Sequence, residues 1–289
     1  MKIIINFAPN GMLPTKAMTP HVPISVNEIV DDVLKATEAG ITMTHLHARD
    51  EVTGQPTYKK EIYAKIIEGI RKYAPTLIIC ASLSGRDFGS FEQRSDVLLL
   101  DGDAKPDMGS LTLSSLNFNK QASINTPEMI QALAAKMLER GILPELEAFD
   151  SGMINYARYL ENKGLIKAPH YFNLIVGNIA CAQADLLHVG VMVRDLPQNS
   201  LWSIGAIGNT QLPMNILGIA AGGGVRIGLE DNIWFDTART QLATNQDFLK
   251  RINGLINASD QTLMSSEEMR ANLNLMPGHG SYGRAILSK

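Results

Sequence analysis

Short apolar runs and longer segments of helical period alternate eight times along this chain, and no linker or change of composition divides them. The apolar runs are IIINFA (3–8), ITMTHLH (41–47), LIICASL (77–83), DMGSLTL (107–113), PELEAF (144–149), HYFNLIVG (170–177), LWSIGAI (201–207) and GVRIGL (224–229). Helical segments follow at 25–40, 58–74, 126–141, 153–164, near 184–195, 212–223 and 236–256, and a polar stretch separates the third run from the fourth. Their ends carry start and stop signals: Ser25 and Thr126 stand where a cap is needed, Pro127 at a first helical position, and Gly40 at an end. A doubly wound sheet also alternates strand and helix. Eight units in about 250 residues is what a closed barrel requires. The expected fold is therefore α/β, a (β/α)8 TIM barrel in a single domain of residues 1–289. Residues 257–289, ending in the Gly-rich MPGHGSYGRAILSK, are expected to form a C-terminal extension against the barrel or a neighbouring subunit.

The remaining composition narrows the function classes. A formal charge of −3 and a pI near 6.1 give no basic footprint for nucleic acid. Two cysteines, Cys80 and Cys181, make neither a disulfide framework nor a thiolate zinc motif, and Cys80 has no basic neighbour to favour a thiolate. No apolar span approaches the roughly 20 residues of a membrane helix. The N-terminal run is too short for a secretory h-region. A soluble, cytoplasmic protein is expected.

In a barrel, chemistry belongs at the C-terminal ends of the strands. THLHARD (44–50) places His45 and His47 on one face of such an end, because alternate strand residues share a face. An isolated His-x-His on a strand is more often a hydrogen-bonded pair than a ligand pair. Here other strands carry polar residues of matching parity at the same level. The first leads to Asn10, the third gives Ser82 and Ser84, the fourth Ser110 and Thr112, and the fifth Glu145 and Glu147. The eighth gives Arg226 and Glu230, with Asp231 adjacent. So many polar groups in a barrel mouth cost desolvation unless they are paired or bind something. His45, His47 and Glu230 would make a two-histidine, one-carboxylate metal set, which suits zinc best, with Fe(II), Mn and Co also compatible. The blander readings are a solvated loop or first helical turn for Glu230–Asp231, and an exposed strand face for Glu145 and Glu147. GGGVRIG precedes a strand rather than following one, so it is not read as a phosphate loop. His21, His170, His188 and His279 have no partners at ligand spacing and are read as structural.

Six blocks, in order, resemble the β-keto acid cleavage enzyme family: PTKAMTPHVPIS (14–25), AGITMTHLHARD (39–50), KPDMGSLTLSSLNF (105–118), PELEAFDSGMI (144–154), LWSIGAIGNTQLP (201–213) and GGGVRIGLEDN (222–232). The resemblance covers nearly the whole chain. It implies a tetrameric barrel with one divalent metal, commonly Zn2+, held by His45, His47 and Glu230. It also implies a catalytic Arg226–Asp231 pair, a serine contact at Ser82, a hydroxyl at Ser110 and a glutamate at Glu147. Asn10, Leu13, Thr112 and Glu145 complete the expected substrate-facing set. The implied reaction is that of an acyltransferase: a 3-oxo acid and acetyl-CoA become acetoacetate and an acyl-CoA, by Claisen-type condensation, CoA transfer and retro-Claisen cleavage.

Departures from the family pattern bear on the substrate. The member acting on an amino-substituted keto acid has an acidic residue where this chain has Leu13, so an uncharged or apolar tail is expected rather than a cationic one. An anionic tail would be served if Lys16 turned inward. Gly224 and Asn209 replace a histidine and an arginine common in the family, which puts tail or CoA contacts in question. The rival readings are another zinc-dependent barrel hydrolase, a class II aldolase-like lyase that does not use CoA, or a metal-binding protein without activity.

Overall fold

The computed structural model describes residues 2–276 and 282–283, and its eight parallel strands close into a barrel. The strands are β1 (Ile5–Phe7), β2 (Met43–Leu46), β3 (Ile78–Ala81), β4 (Met108–Thr112), β5 (Leu143–Ala148), β6 (His170–Val176), β7 (Ser200–Ala206) and β8 (Gly224–Ile227). Each pairs with the next in sequence, and β8 closes on β1 through Arg226 opposite Asn6. Helices α1 (Val26–Glu38), α2 (Lys60–Arg71), α3 (Phe91–Ser95), α4 (Pro127–Arg140), α5 (Ser151–Asn162), α6 (Leu186–Arg194), α7 (Gln211–Ala220) and α8 (Asn245–Ala258) follow the strands of the same number.

Local chemistry sets the ends of these elements. Ser25 accepts from the Glu28 N–H while Glu28 reaches back to the Ser25 N–H, a reciprocal cap for α1. Thr126 and Pro127 start α4, and Gly141 ends it in the left-handed conformation. Ile29, Val33 and Ala36 line one face of α1, and Tyr63, Ile66, Ile67 and Ile70 one face of α2. These meet Ile5, Phe7, Leu46 and Ile79 of the strands in an outer apolar ring. Each such buried Ile or Leu is worth about 1.5–3 kcal/mol against exposure. The inside of the barrel base is a second core of Ile4, Met43, Ile78, Met108, Leu143 and Tyr171.

Several boundaries differ from the sequence expectation. The first run divides: Lys2–Ile3 leaves the barrel and pairs with Thr262–Leu263. The polar stretch after β3 contains α3 and two 3-10 turns, and a small hairpin (Leu116–Asn117 with Ala122–Ser123) follows β4. The last long helix begins at Asn245 rather than near Asp236, because the Asp236 carboxylate accepts from the backbone of Thr240 and Gln241 and folds that segment into a loop.

The described part of the C-terminal extension lies under the barrel base. There α9 (Ser266–Leu273) follows the Thr262–Leu263 strand, and Ser266 Oγ donates to the Thr42 carbonyl. Apart from Tyr282 and Gly283, residues 277–289, His279 among them, fall outside the described residues.

Candidate active site

Thr44 and Leu46 of β2 face outward, so His45 points into the barrel and His47, two residues on, enters the mouth; both are buried. The third member of the group comes from the turn after β8. Gly228 sits at φ +151°, where an added Cβ would collide with the Ala8 carbonyl, and the turn brings Glu230 across to the loop after β1. There Gly11, at φ +61°, leaves room for the Glu230 side chain, which a Cβ would meet head-on. The Nε2 atoms of His45 and His47 are 3.2 Å apart, and His47 Nε2 lies 3.1 Å from Glu230 Oε1.

These atoms suit a metal. Two ligands of a tetrahedral zinc, at about 2.0–2.1 Å each, stand roughly 3.3 Å apart. The three ligand atoms lie within 4.8 Å of one another. Glu230 Oε2 is buried with no protein partner, as is Nη1 of Arg226. His45 Nδ1 meets Glu145 Oε2 at 2.5 Å, which directs the Nε2 lone pair at the site, the usual carboxylate–histidine support for a ligand. A second trio, His45, Cys80 and Glu145, is also close. It is a poor ligand set: burial and Glu145 push the Cys80 thiol well up, so it stays protonated and donates to Glu145 at 3.0 Å.

The electrostatics divide the charged groups into distinct roles. Burial opposes a charge on His45, but Glu145 and Glu230 overcome it and push its pKa up to about 9, so a metal ion would have to displace a proton from Nε2 to gain that lone pair. Burial and the neighbouring His45 hold His47 down, so its imidazole is neutral. Glu145 is lowered to about 2 despite burial, chiefly by His45. Arg226 is shared by two carboxylates. It meets Asp231 through Nε at 2.8 Å and Nη2 at 3.3 Å, and Glu230 through Nη2 at 2.7 Å. One guanidinium does not satisfy both equally. Glu230 overcomes its burial with the help of Arg226 and His47 and is held well below the usual carboxylate range, whereas burial and Glu230 raise Asp231. Asp231 is the more basic of the two. Glu147, which accepts from Thr112 Oγ1 at 2.6 Å, is also raised, by burial first and then by Glu145 against the opposing pull of His45.

The other expected residues fall in three groups. Ser82 lies beside His47 on a cleft that runs between the loops after β2 and β3, past Met12, Tyr58 and Phe88. Asn10 holds that edge by donating to the His47 carbonyl at 2.9 Å. Ser110 Oγ accepts from the Leu83 N–H at 3.0 Å, leaving its own hydrogen to donate. Glu145, expected among the substrate contacts, is fully buried beneath His45 and accepts from Asn6, Asn173, Cys80 and His45, a place from which it can hold the His45 ring in position. Leu13 is exposed on the rim. Lys16 does not turn inward; it pairs with Glu28 at 2.7 Å. Gly224 is a packing position at the barrel base, where any Cβ would strike Ser203 and Ile4. Asn209 is on the rim, donating to the Thr237 carbonyl and accepting from Arg239. Of the histidines read as structural, His170 meets Glu161 at 3.0 Å and His188 meets Asp185 at 2.7 Å.

Some supporting residues were not singled out in the sequence. Arg49 is buried and donates to the carbonyls of Gly11, Gly54 and Pro14, locking the loop that carries Gly11. Asn6 and Asn173 are amides inside apolar strands, and the parity rule that found Glu145 applies equally to them. Arg49 carries no such signal, since a charged residue just after a strand reads as solvated.

A family model described as beta-keto acid cleavage enzyme matches residues 2–275. The chain is 33% identical over 276 residues to a Fusobacterium nucleatum protein named 3-keto-5-aminohexanoate cleavage enzyme, covering 95% of this chain and 98% of that one. It is 34% identical to a Cupriavidus necator protein named 3-oxoadipate:acetyl-CoA acetyltransferase, covering 94% of each. Among solved structures, that of ObcA without ligand superposes with a TM-score of 0.79 at 20% identity, covering 90% of this chain and 66% of that one, a likeness of fold.

Proposed function

The chain belongs to the beta-keto acid cleavage enzyme family, and from that premise we propose that it converts a 3-oxo acid and acetyl-CoA into acetoacetate and a new acyl-CoA. The observation that carries the proposal is the convergence of His45, His47 and Glu230 beside the Arg226–Asp231 pair at one barrel mouth. When bound there, a divalent metal such as zinc supplies the Lewis acidity that steadies negative charge on the β-keto carboxylate. Asp231 takes the C2 proton, directly or through water, while the two N–H bonds from Arg226 keep its carboxylate oriented.

The C2 carbanion then attacks the acetyl thioester and displaces the CoA thiolate. The thiolate adds to the C3 carbonyl of the substrate, the C2–C3 bond breaks, and acetoacetate leaves as a carbanion that Asp231 reprotonates. Ser82 and Ser110 hydrogen-bond the substrate or its developing oxyanions. Glu147, steadied by Thr112, serves as a second proton carrier at the C3 oxygen. Leu13 gives a cationic tail no countercharge, so an uncharged or apolar tail fits better than a cationic one, and Lys16, paired with Glu28, is not turned toward an anionic one. We also read the chain as one domain acting as a homotetramer in the cytoplasm. Family resemblance supports the tetramer, and two free cysteines suit a reducing compartment.

The test is acetoacetate formation from a panel of 3-oxo acids, with and without acetyl-CoA, on protein of known metal content. Product that requires acetyl-CoA and falls at least a hundredfold in Asp231→Asn is the expected result. Turnover without acetyl-CoA would overturn the Claisen route in favour of a hydrolase or lyase.

A further inference from the structure

Arg86 stands apart from every other described arginine. Arg49, Arg71, Arg94, Arg140, Arg158, Arg194, Arg226, Arg239, Arg251 and Arg270 all donate a side-chain hydrogen bond. Among the described residues the Arg86 guanidinium makes none, and it has no ion pair, although it is only partly exposed. Its one described contact is a stack over the Phe118 ring, 3.8 Å from the centroid.

The residue is deliberately mounted. Its backbone N–H goes to Ser84 Oγ, and the Gln121 amide donates to both its carbonyl and Asp87. Phe118 in turn packs edge-on against Phe149, just past the end of β5. Arg86 therefore sits on the mouth rim, in the loop after β3 that begins at Ser82 and above the strand that carries Glu147. Burial lowers its pKa, while Glu230, Asp87 and Glu147 raise it, which places it within the field of the site. A stacked guanidinium keeps its edge N–H groups free, and that edge matches a carboxylate in a two-point contact.

We propose that Arg86 is a specificity-determining residue that receives an anionic end of the substrate, so that this enzyme takes 3-oxo acids whose acyl tail ends in a carboxylate. The inference rests on the mouth being a 3-oxo acid site. It narrows the non-cationic tail to a charged one, with Arg86 in the part that Lys16 does not play. The same edge would suit a phosphate of acetyl-CoA, and the experiment separates the two sources.

Wild type, Arg86→Met and Arg86→Lys are assayed with three 3-oxo acids of equal length, ending in methyl, carboxylate or ammonium. KM for acetyl-CoA is measured alongside. In wild type kcat/KM is expected to be at least tenfold higher for the carboxylate-ended acid than for the methyl-ended one. Arg86→Met should cut that ratio by about 10- to 100-fold, the worth of a charge-assisted contact, with part of it kept in Arg86→Lys. A wild-type ratio near one overturns the proposal, as does a ratio that survives in Arg86→Met. So does a raised KM for acetyl-CoA with the tail ratio unchanged, which assigns the contact to CoA.

Calorimetric titration with glutarate and butyrate separates this proposal from the reaction itself. Tighter glutarate binding that disappears in Arg86→Met upholds the anion site even if no substrate turns over. Equal binding of the two, with turnover intact, sinks the anion site and leaves the reaction.

Discussion

The two ends of the barrel handle buried charge in opposite ways. At the base, Asp107 accepts two bonds from Arg270 at 2.9 and 2.8 Å, one from Arg71 at 3.1 Å and one from the Ile79 N–H at 3.0 Å. Both carboxylate oxygens are engaged, and Arg270 also grips the carbonyls of Thr76 and Leu77. Only Arg71 Nε is left without a partner in that assembly. The base charge thus pins α9 to the strands. At the mouth, Glu230 Oε2 and Arg226 Nη1 are buried and unpartnered, and so, in the layer beneath His45, are the Oδ1 atoms of Asn6 and Asn173. Orphaned polar atoms cost stability, and natural chains keep them where a ligand completes the set. Charge at one end closes a structure, and charge at the other waits for chemistry.

This contrast predicts which end fails in which way. The largest effect is expected for Glu230→Gln or His47→Ala. Either removes a proposed metal ligand at the mouth and should lower acetoacetate formation at least a thousandfold, with little loss of thermal stability when both proteins are compared stripped of metal, read by assay and melting curve together. At the base the pattern reverses. Asp107→Asn leaves two guanidiniums poorly paired and should cost about 3–5 kcal/mol in denaturant unfolding, with activity per folded molecule retained. If Asp107→Asn instead removed activity from the folded protein, the division between the ends would break.

Glu145→Gln lies between these extremes, because it weakens the support of His45. Metal affinity is expected to fall about 10- to 100-fold, as for other partners behind a ligand, measured by competition with a chelator. The smallest effect is at the rim of α1. Glu28 is pulled down to about 2, although its burial opposes this, by the Lys16 bond and the N–H groups of Ile24 and Ser25. Its contribution is fully present above about pH 4.5 and is lost as pH falls through about 2. Glu28→Gln should cost under about 1 kcal/mol at neutral pH, since the Lys16 pair is exposed and screened. The gap between variant and wild type should narrow as the unfolding buffer is acidified through that window.

The barrel was legible because its period repeats: each apolar run had to alternate with a helical face that covers it, and eight such units close. The mouth was legible where polar residues interrupt apolar strands at the right parity, as at His45, Ser110 and Glu147. Parity alone does not give depth, and that is why the sequence does not show Glu145 to lie fully buried beneath His45. The base was not legible. Asp107, Arg71 and Arg270 lie far apart in sequence, and each taken alone looks like a solvated charge. Arg49 was missed for the same reason, since its partners are backbone carbonyls that carry no residue signature. The late start of α8 came from Asp236, whose side chain outcompetes the helix for local N–H groups.

The most direct test of the contrast is a calorimetric titration of chelator-stripped protein with Zn2+, followed by a melting curve. One equivalent should bind to wild type and raise its melting temperature, as any ligand of the folded state does. Asp107→Asn should bind one equivalent as well, from a lower starting temperature, and Glu230→Gln should show neither binding nor the rise. Saturable binding that survives unchanged in Glu230→Gln, or none in wild type, would contradict the assignment of the mouth.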